Sequence, residues 1–222
     1  MKKDIPDRLL AEKSNLCSPD NHVVYYDSNV WRKWFADDRD FNELIEKYPQ
    51  QISRSDIANL ASSTSSEVPR TAFLAAMLWG YGTVGYGAYR TSIMFRAKDF
   101  QNIIEKSFRS VSDGKYMDAY GMFILPMCGS AFFTKYFYFV GLGNKTTPLP
   151  LILDSVVANS LAQLGVDISQ LAKVAKNSAG KIVSVGRYAD GYFQYVEMIN
   201  SWASEIDCRP DSIEKWLFSL RN

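Results

Sequence analysis

Residues 125–160 read LPMCGSAFFTKYFYFVGLGNKTTPLPLILDSVVANS, and their reading decides the fold. Leu125-Pro126-Met127-Cys128-Gly129 separates two apolar segments of helical character. Proline ends the first helix, Gly129 permits tight backbone geometry, and Ser130 opens the second. The first amides of that helix lack intrahelical acceptors and lie at the positive end of its dipole. Met127, Cys128, Gly129, Ser130 and Ala131 are therefore expected to seat a phosphate without side-chain charge. An ordinary turn between helices satisfies the same pattern. Behind it, Lys135 stands among Phe132, Phe133, Tyr136, Phe137 and Tyr138, where burial would favour a neutral, nucleophilic amine. Asp154 interrupts the apolar run Leu151–Val157 and is expected in the first turn of the next helix, where the dipole favours a carboxylate. In the plainer reading Asp154 only caps that helix and Lys135 snorkels to water.

Outward from this stretch, helical periodicity dominates. Phe100, Ile103, Ile104 and Phe108 fall at the spacing of one buried face and predict a helix over Asp99–Val111. Asp40–Tyr48, Asp56–Ser62 with Ser53 as its cap, Thr71–Leu78 ending at Gly80, Lys115–Leu125, Ala131–Val140, Leu151–Leu164, Ile168–Ala175, Tyr188–Ile206 and Asp211–Leu220 read likewise. A weak strand signal lies at Val23–Tyr26. The expected fold class is all-α, without internal repeat. The Ser/Thr run Ser62–Ser66, ending at Val68-Pro69, is the clearest break between two helical lobes.

Gly80-Tyr81-Gly82-Thr83-Val84-Gly85 matches GxGxxG, but the dinucleotide fingerprint works only between a strand and a helix of a βαβ unit. Here an Ala/Leu-rich helical segment precedes it and no parallel sheet follows. Trp79–Arg90, WGYGTVGYGAYR, reads instead as a glycine-hinged aromatic loop offering flat faces and a planar cation to a base. Aromatics packed around a tight turn are the alternative.

Composition bounds the chemistry. The 222 residues, 47% hydrophobic and 14% aromatic, suffice for a substantial core and exclude disorder and coiled coil. Cys17, Cys128 and Cys208 form no CxxC pair, and His22 is the single histidine, so Ser-His-Asp triads, HExxH zinc sites and His-ligated deaminase centres lack material, and no metal site is expected. Catalysis must then run on carboxylates, lysines, tyrosines or backbone. No segment reads as membrane-spanning or as a secretory signal, and a cytoplasmic, nucleoid location is expected. The net charge is +1, but residues 61–150 hold 9 basic and 5 acidic side chains. Arg90, Arg96, Lys98, Lys106, Arg109 and Lys115 form a patch suited to phosphate, or else a solvated helix face.

WGYG…GYGAYR, LPMCGSAFFTKYFYF, PLILDSVVANSL and the tyrosine-rich Tyr188–Trp202 together resemble the helix-hairpin-helix DNA glycosylases, more closely their small prokaryotic 8-oxoguanine glycosylase-like branch. The resemblance runs from about Val68 to Trp202. It implies a single glycosylase domain with a cleft: residues 67–164 as the hairpin-bearing lobe, and residues 1–66 and 165–222 building the other. In that family a lysine of the hairpin's second helix and a later aspartate stand at the scissile glycosidic bond; Lys135 and Asp154, nineteen positions apart, are their counterparts. Met127 replaces the usual first hairpin glycine. Ala131 stands where better-known members carry the lysine, with Lys135 one turn further along the same face.

The implied activity is flipping and excision of a modified base from duplex DNA by a monomer, the base held by Trp79, Tyr81, Tyr86, Arg90, Tyr192, Gln194 and Tyr195. Either Lys135 attacks C1′ and adds lyase activity, or Asp154 activates water. An oxidised purine such as 8-oxoguanine is the family's default substrate. A hypermodified phage base such as glucosylated 5-hydroxymethylcytosine is the rival, and a non-catalytic helical DNA-binding module the third reading. No cofactor is implied, a structural monovalent cation at the hairpin being the alternative.

Overall fold

A computed structural model describes residues 4–62 and 67–220. In chain order its elements are α1 (Asp7–Glu12), β1 (Val23–Tyr25), α2 (Ser28–Phe35), α3 (Arg39–Lys47), β2 (Gln51–Ser53), α4 (Arg54–Ala61), α5 (Val68–Tyr81) and α6 (Gly87–Phe95). There follow α7 (Phe100–Ser112), α8 (Tyr116–Met122), α9 (Ser130–Gly143), α10 (Ser155–Gln163), β3 (Lys173–Lys176), β4 (Ile182–Gly186), α11 (Ala189–Ile206) and α12 (Pro210–Ser219). Short 3-10 turns occupy Lys13–Asn15 and Ile168–Gln170. The fold is mostly α, as expected, with two small antiparallel sheets among the described residues.

The contacts divide the chain into two compact units. One gathers residues 1–19, 129–134 and 148–222; the other holds 20–128 and 135–147. Of the Ser/Thr break, residues 63–66 lie outside the described residues, and both of its flanks fall in the second unit.

In the second unit, Asp27 caps α2, Asp38 caps α3, and Ser53 with Asp56 forms a reciprocal capping box on α4. These caps satisfy amides that the chain cannot satisfy within its helices. α5 is buried nearly all round, from Val68 to Tyr81. Phe73 at its middle meets Phe95, Phe100, Phe123 and Tyr136, with ring centroids 5.4–6.0 Å apart. Each such ring contributes about 1.5–3 kcal/mol by leaving water. Arg70 leaves the same helix to pair with Asp38 and Asp40. β1 and β2 pair with Val23 opposite Ser53.

In the first unit, α12 carries Trp216, whose indole N–H donates to Glu12 of α1 at 2.8 Å, and the Ser160 hydroxyl of α10 donates to the Leu217 carbonyl at 2.6 Å. Trp202 of α11 is buried.

Three sequence expectations change. The Ile168–Ala175 helix is instead a 3-10 turn followed by β3, which pairs with β4, Val174 opposite Val185. The apolar residues of 168–175 suit either state, and the β-branched Ile182, Val183 and Val185 decide for pairing. Leu151–Leu153 is non-helical, so α10 begins after Asp154. Trp79–Arg90 is no single loop: Gly80 stays helical, Gly82 at φ +53° ends α5, and α6 starts at Gly87.

Candidate active site

A tight turn stands where it was expected, but α8 ends at Met122 and residues 123–125 are non-helical, so Pro126 does not itself end that helix. The Cys128 amide donates to the Leu125 carbonyl at 3.3 Å, enclosing Pro126 and Met127. Met127 adopts φ +59°, so the turn has the character of type II, which normally places glycine or asparagine there. A side chain in this left-handed region costs about 1–2 kcal/mol. Gly129, to which the sequence reading gave the tight backbone, is not left-handed, and a Cβ on it would meet open space. Its part is to start α9: its carbonyl accepts the Phe132 and Phe133 amides at 2.9 and 3.2 Å. With the Leu125 carbonyl also taken, the turn is closed by its own amides.

Met127 and Gly129 are exposed, Ala131 half-buried, Cys128 and Ser130 buried. The Ser130 hydroxyl is committed elsewhere, donating to the Val185 carbonyl at 2.7 Å. Any phosphate seat here is therefore one of backbone rather than of hydroxyl.

Lys135 sits within α9 at 6% exposure. Asp154 is the N-cap of α10, half-buried, and its Oδ1 accepts the Val156 and Val157 amides at 2.9 and 3.1 Å. One carboxylate oxygen is thus locked by the helix start, which fixes the orientation of the group. Asp154 lies in the first unit and Lys135 in the second. Within the first unit, the Leu153 amide donates to Thr134 Oγ1 at 3.4 Å, and the Thr134 hydroxyl donates to the Ser130 carbonyl at 2.7 Å.

Tyr192 and Tyr195 do not line an open pocket. They are 1% and 0% exposed, and their hydroxyls donate to the Leu151 and Ile152 carbonyls, both at 2.8 Å. They pin the extended segment that delivers Asp154. Gln194, on the same helix, faces solvent. Nothing in sequence periodicity singles out the roles of Thr134 and Ser130, because each rests on a partner remote in the chain.

Trp79 also departs from the expected base pocket. Buried in α5, it donates to the His22 carbonyl at 3.3 Å, meets Phe139 edge-on and carries the Arg54 guanidinium over its ring at 5.1 Å. Tyr81, Tyr86 and Arg90 do come together. The rings of Tyr81 and Tyr86 are 6.1 Å apart, and the Arg90 guanidinium lies 4.4 Å from the centre of the exposed Tyr86 ring. Burial pushes the Tyr81 phenol up to about 12, with Cys128 adding to the rise and Arg90 opposing it. Next to them, Tyr89 meets Trp34 at 5.0 Å, both rings substantially exposed. Trp34 had not been expected at any site.

Arg96, Lys98, Lys106, Arg109 and Lys115 are exposed, Arg109 with Glu105 3.8 Å away. Among the described residues no cluster of histidine, cysteine and acidic side chains could hold a metal ion, and no helix is long and apolar enough to cross a membrane.

No curated protein and no solved structure matches this chain. A family profile does, across the turn, the capped aspartate and the tyrosines that hold it: over residues 18–218 the chain belongs to the family described as "Putative 8-oxoguanine DNA glycosylase OGG-like protein".

Proposed function

We propose that this protein is a DNA N-glycosylase that flips a modified base, by its family's description an oxidised purine such as 8-oxoguanine, out of duplex DNA and excises it. The observation that carries the reading is the fixation of Asp154, a carboxylate oriented by two amides at a helix start and delivered by a segment that buried tyrosines hold. Such a group stabilises positive charge developing on a sugar without having to reorganise.

The reaction breaks the C1′–N bond, the bonding pair leaving with the base, which is then protonated. Asp154 stabilises the cationic deoxyribose. C1′ is captured by the Lys135 amine, which gives up a proton and becomes a Schiff base as the C1′–O4′ bond opens and O4′ takes a proton, or by a water whose proton passes to the carboxylate. Arg90 and Tyr86 offer a cation and an open aromatic face to the extruded base, which stacking would hold against the cost of leaving the helix. The backbone at residues 127–131, apart from the Cys128 amide that closes the turn, takes a phosphate.

Asp154→Asn retains the Oδ1 acceptor and hence the cap, but loses the charge. Base release in single turnover from an 8-oxoguanine duplex should fall by two or more orders of magnitude while DNA affinity and melting temperature hold. Borohydride should trap a protein–DNA adduct that Lys135→Gln cannot form. Full release by Asp154→Asn would overturn the assignment, and release from a glucosylated 5-hydroxymethylcytosine duplex alone would change the substrate.

A further inference from the structure

Residues 173–187, KVAKNSAGKIVSVGR, hold Lys173, Lys176, Lys181 and Arg187 and no acidic side chain. Without these four, the chain's 25 basic and 24 acidic side chains become 21 and 24, a balance of −3. The segment thus tips the whole chain positive, a fact masked in sequence by the acidic helices that follow it.

The fold makes it a presented surface. β3 and β4 form a ribbon whose inner side is Ile182 and Val185, both buried, while all four basic residues are exposed. On the outer side two cross-strand pairs keep the surface low, Ala175 facing Ser184 and Lys173 facing Gly186, while Lys176 stands opposite the buried Ile182 at the end of the ladder. The ribbon is stiffly mounted. Asn159 of α10 donates to the Ile182 carbonyl at 2.8 Å and accepts its amide at 3.0 Å. Ser130, the first residue of α9, holds Val185, and Arg187 lies 4.9 Å from the centre of the Phe133 ring. Its turn is ordered by Asn177, whose Oδ1 accepts the Ala179 and Lys181 amides at 3.1 and 3.0 Å. Both mounting points belong to the site elements: α10 carries Asp154 as its cap, and α9 opens after the hairpin turn.

A protein partner would need large apolar or aromatic anchors at the centre of the contact, whereas the large exposed apolar side chain here is Val183. Cations spaced around small residues instead let a phosphodiester backbone approach closely. We propose that the β3–β4 ribbon grips the phosphates of duplex DNA flanking the base to be removed, through Lys173, Lys176 and Lys181, with Arg187 bracing the ribbon on α9. The proposal rests on the glycosylase reading for the presence of that duplex.

The test measures DNA affinity against salt for the full-length parent, for Lys176→Gln/Lys181→Gln, and for Lys13→Gln/Lys47→Gln, which removes the same charge from exposed positions elsewhere. The ribbon pair should bind lesion-bearing and plain duplexes about 10- to 100-fold more weakly at low salt, with a log–log slope shallower by about 1.8, two phosphates at about 0.9 each. The control pair should keep the parent slope and the parent single-turnover base release, whereas the ribbon pair should need about 10- to 100-fold more enzyme for half-maximal release. A ribbon pair that behaves like the control overturns the proposal and leaves the glycosylase reading intact. Ribbon-dependent binding without base release upholds it and removes that reading, and a parent that binds no duplex overturns both.

Discussion

Met127 shows how one side chain can carry a cost that its neighbours impose. The turn needs a left-handed residue after Pro126, and the chain supplies a methionine there and a glycine two positions later, where none is required. Met127→Gly should therefore raise stability by roughly 0.5–1 kcal/mol, the relief of strain outweighing the added freedom of the unfolded chain. Met127 is half exposed, so little burial is lost. Gly129→Ala should change stability by less than about 0.5 kcal/mol. Urea midpoints at constant m-value decide both, and a lower midpoint for Met127→Gly would contradict the strain argument.

At the scale of elements, the grouping of Tyr81, Tyr86 and Arg90 depends on how closely α6 starts against the end of α5. A Cβ built on Gly87 would stand 2.5 Å from Tyr81 Cβ and Cγ. Neither of those atoms can swing away as a flexible side-chain tip can. Gly87→Ala should cost about 1–3 kcal/mol by forcing the helices apart, and it should displace Tyr81 from Tyr86 and Arg90. Duplex affinity, if set mainly by phosphate contacts, should change little, while KM or kcat for base release worsens. Unaltered melting and unaltered kinetics in this variant would mean that the two helices adjust freely.

The whole molecule should be sensitive to alkali because its core hides phenols. Burial pushes Tyr26 and Tyr81 up to about 12 and Tyr136 well above the ordinary value near 10. With the folded pKa above the unfolded one, the stabilisation is complete below about pH 10 and declines as pH rises toward 12, because the unfolded chain releases these protons first. Urea midpoints should thus fall steeply between about pH 10 and pH 12. Tyr81→Phe should make that fall shallower. An equal drop in parent and variant would show that Tyr81 ionises alike in both states.

What the sequence determined by itself is local. The stripe of α7, the capping of α4 by Ser53, the place of the turn at Leu125–Cys128 and the reading of Asp154 as a cap are all legible, because each depends on residues within a turn or two of one another. Tertiary structure decided the rest. Trp79 and Tyr86 belong to one aromatic cluster in sequence, yet one is sealed against His22 and Phe139 while the other faces water under Arg90. Tyr192 and Tyr195 became struts because carbonyls 41 and 43 residues away came within reach of their hydroxyls. The β3–β4 ribbon stayed hidden for the same reason: strands of four and five residues are marginal by themselves, and remote partners, Asn159 and Ser130 among them, together with the buried faces of Ile182 and Val185, stabilise their pairing. Periodicity records which residues leave water, whereas the partner each one meets is settled by contacts remote in the chain.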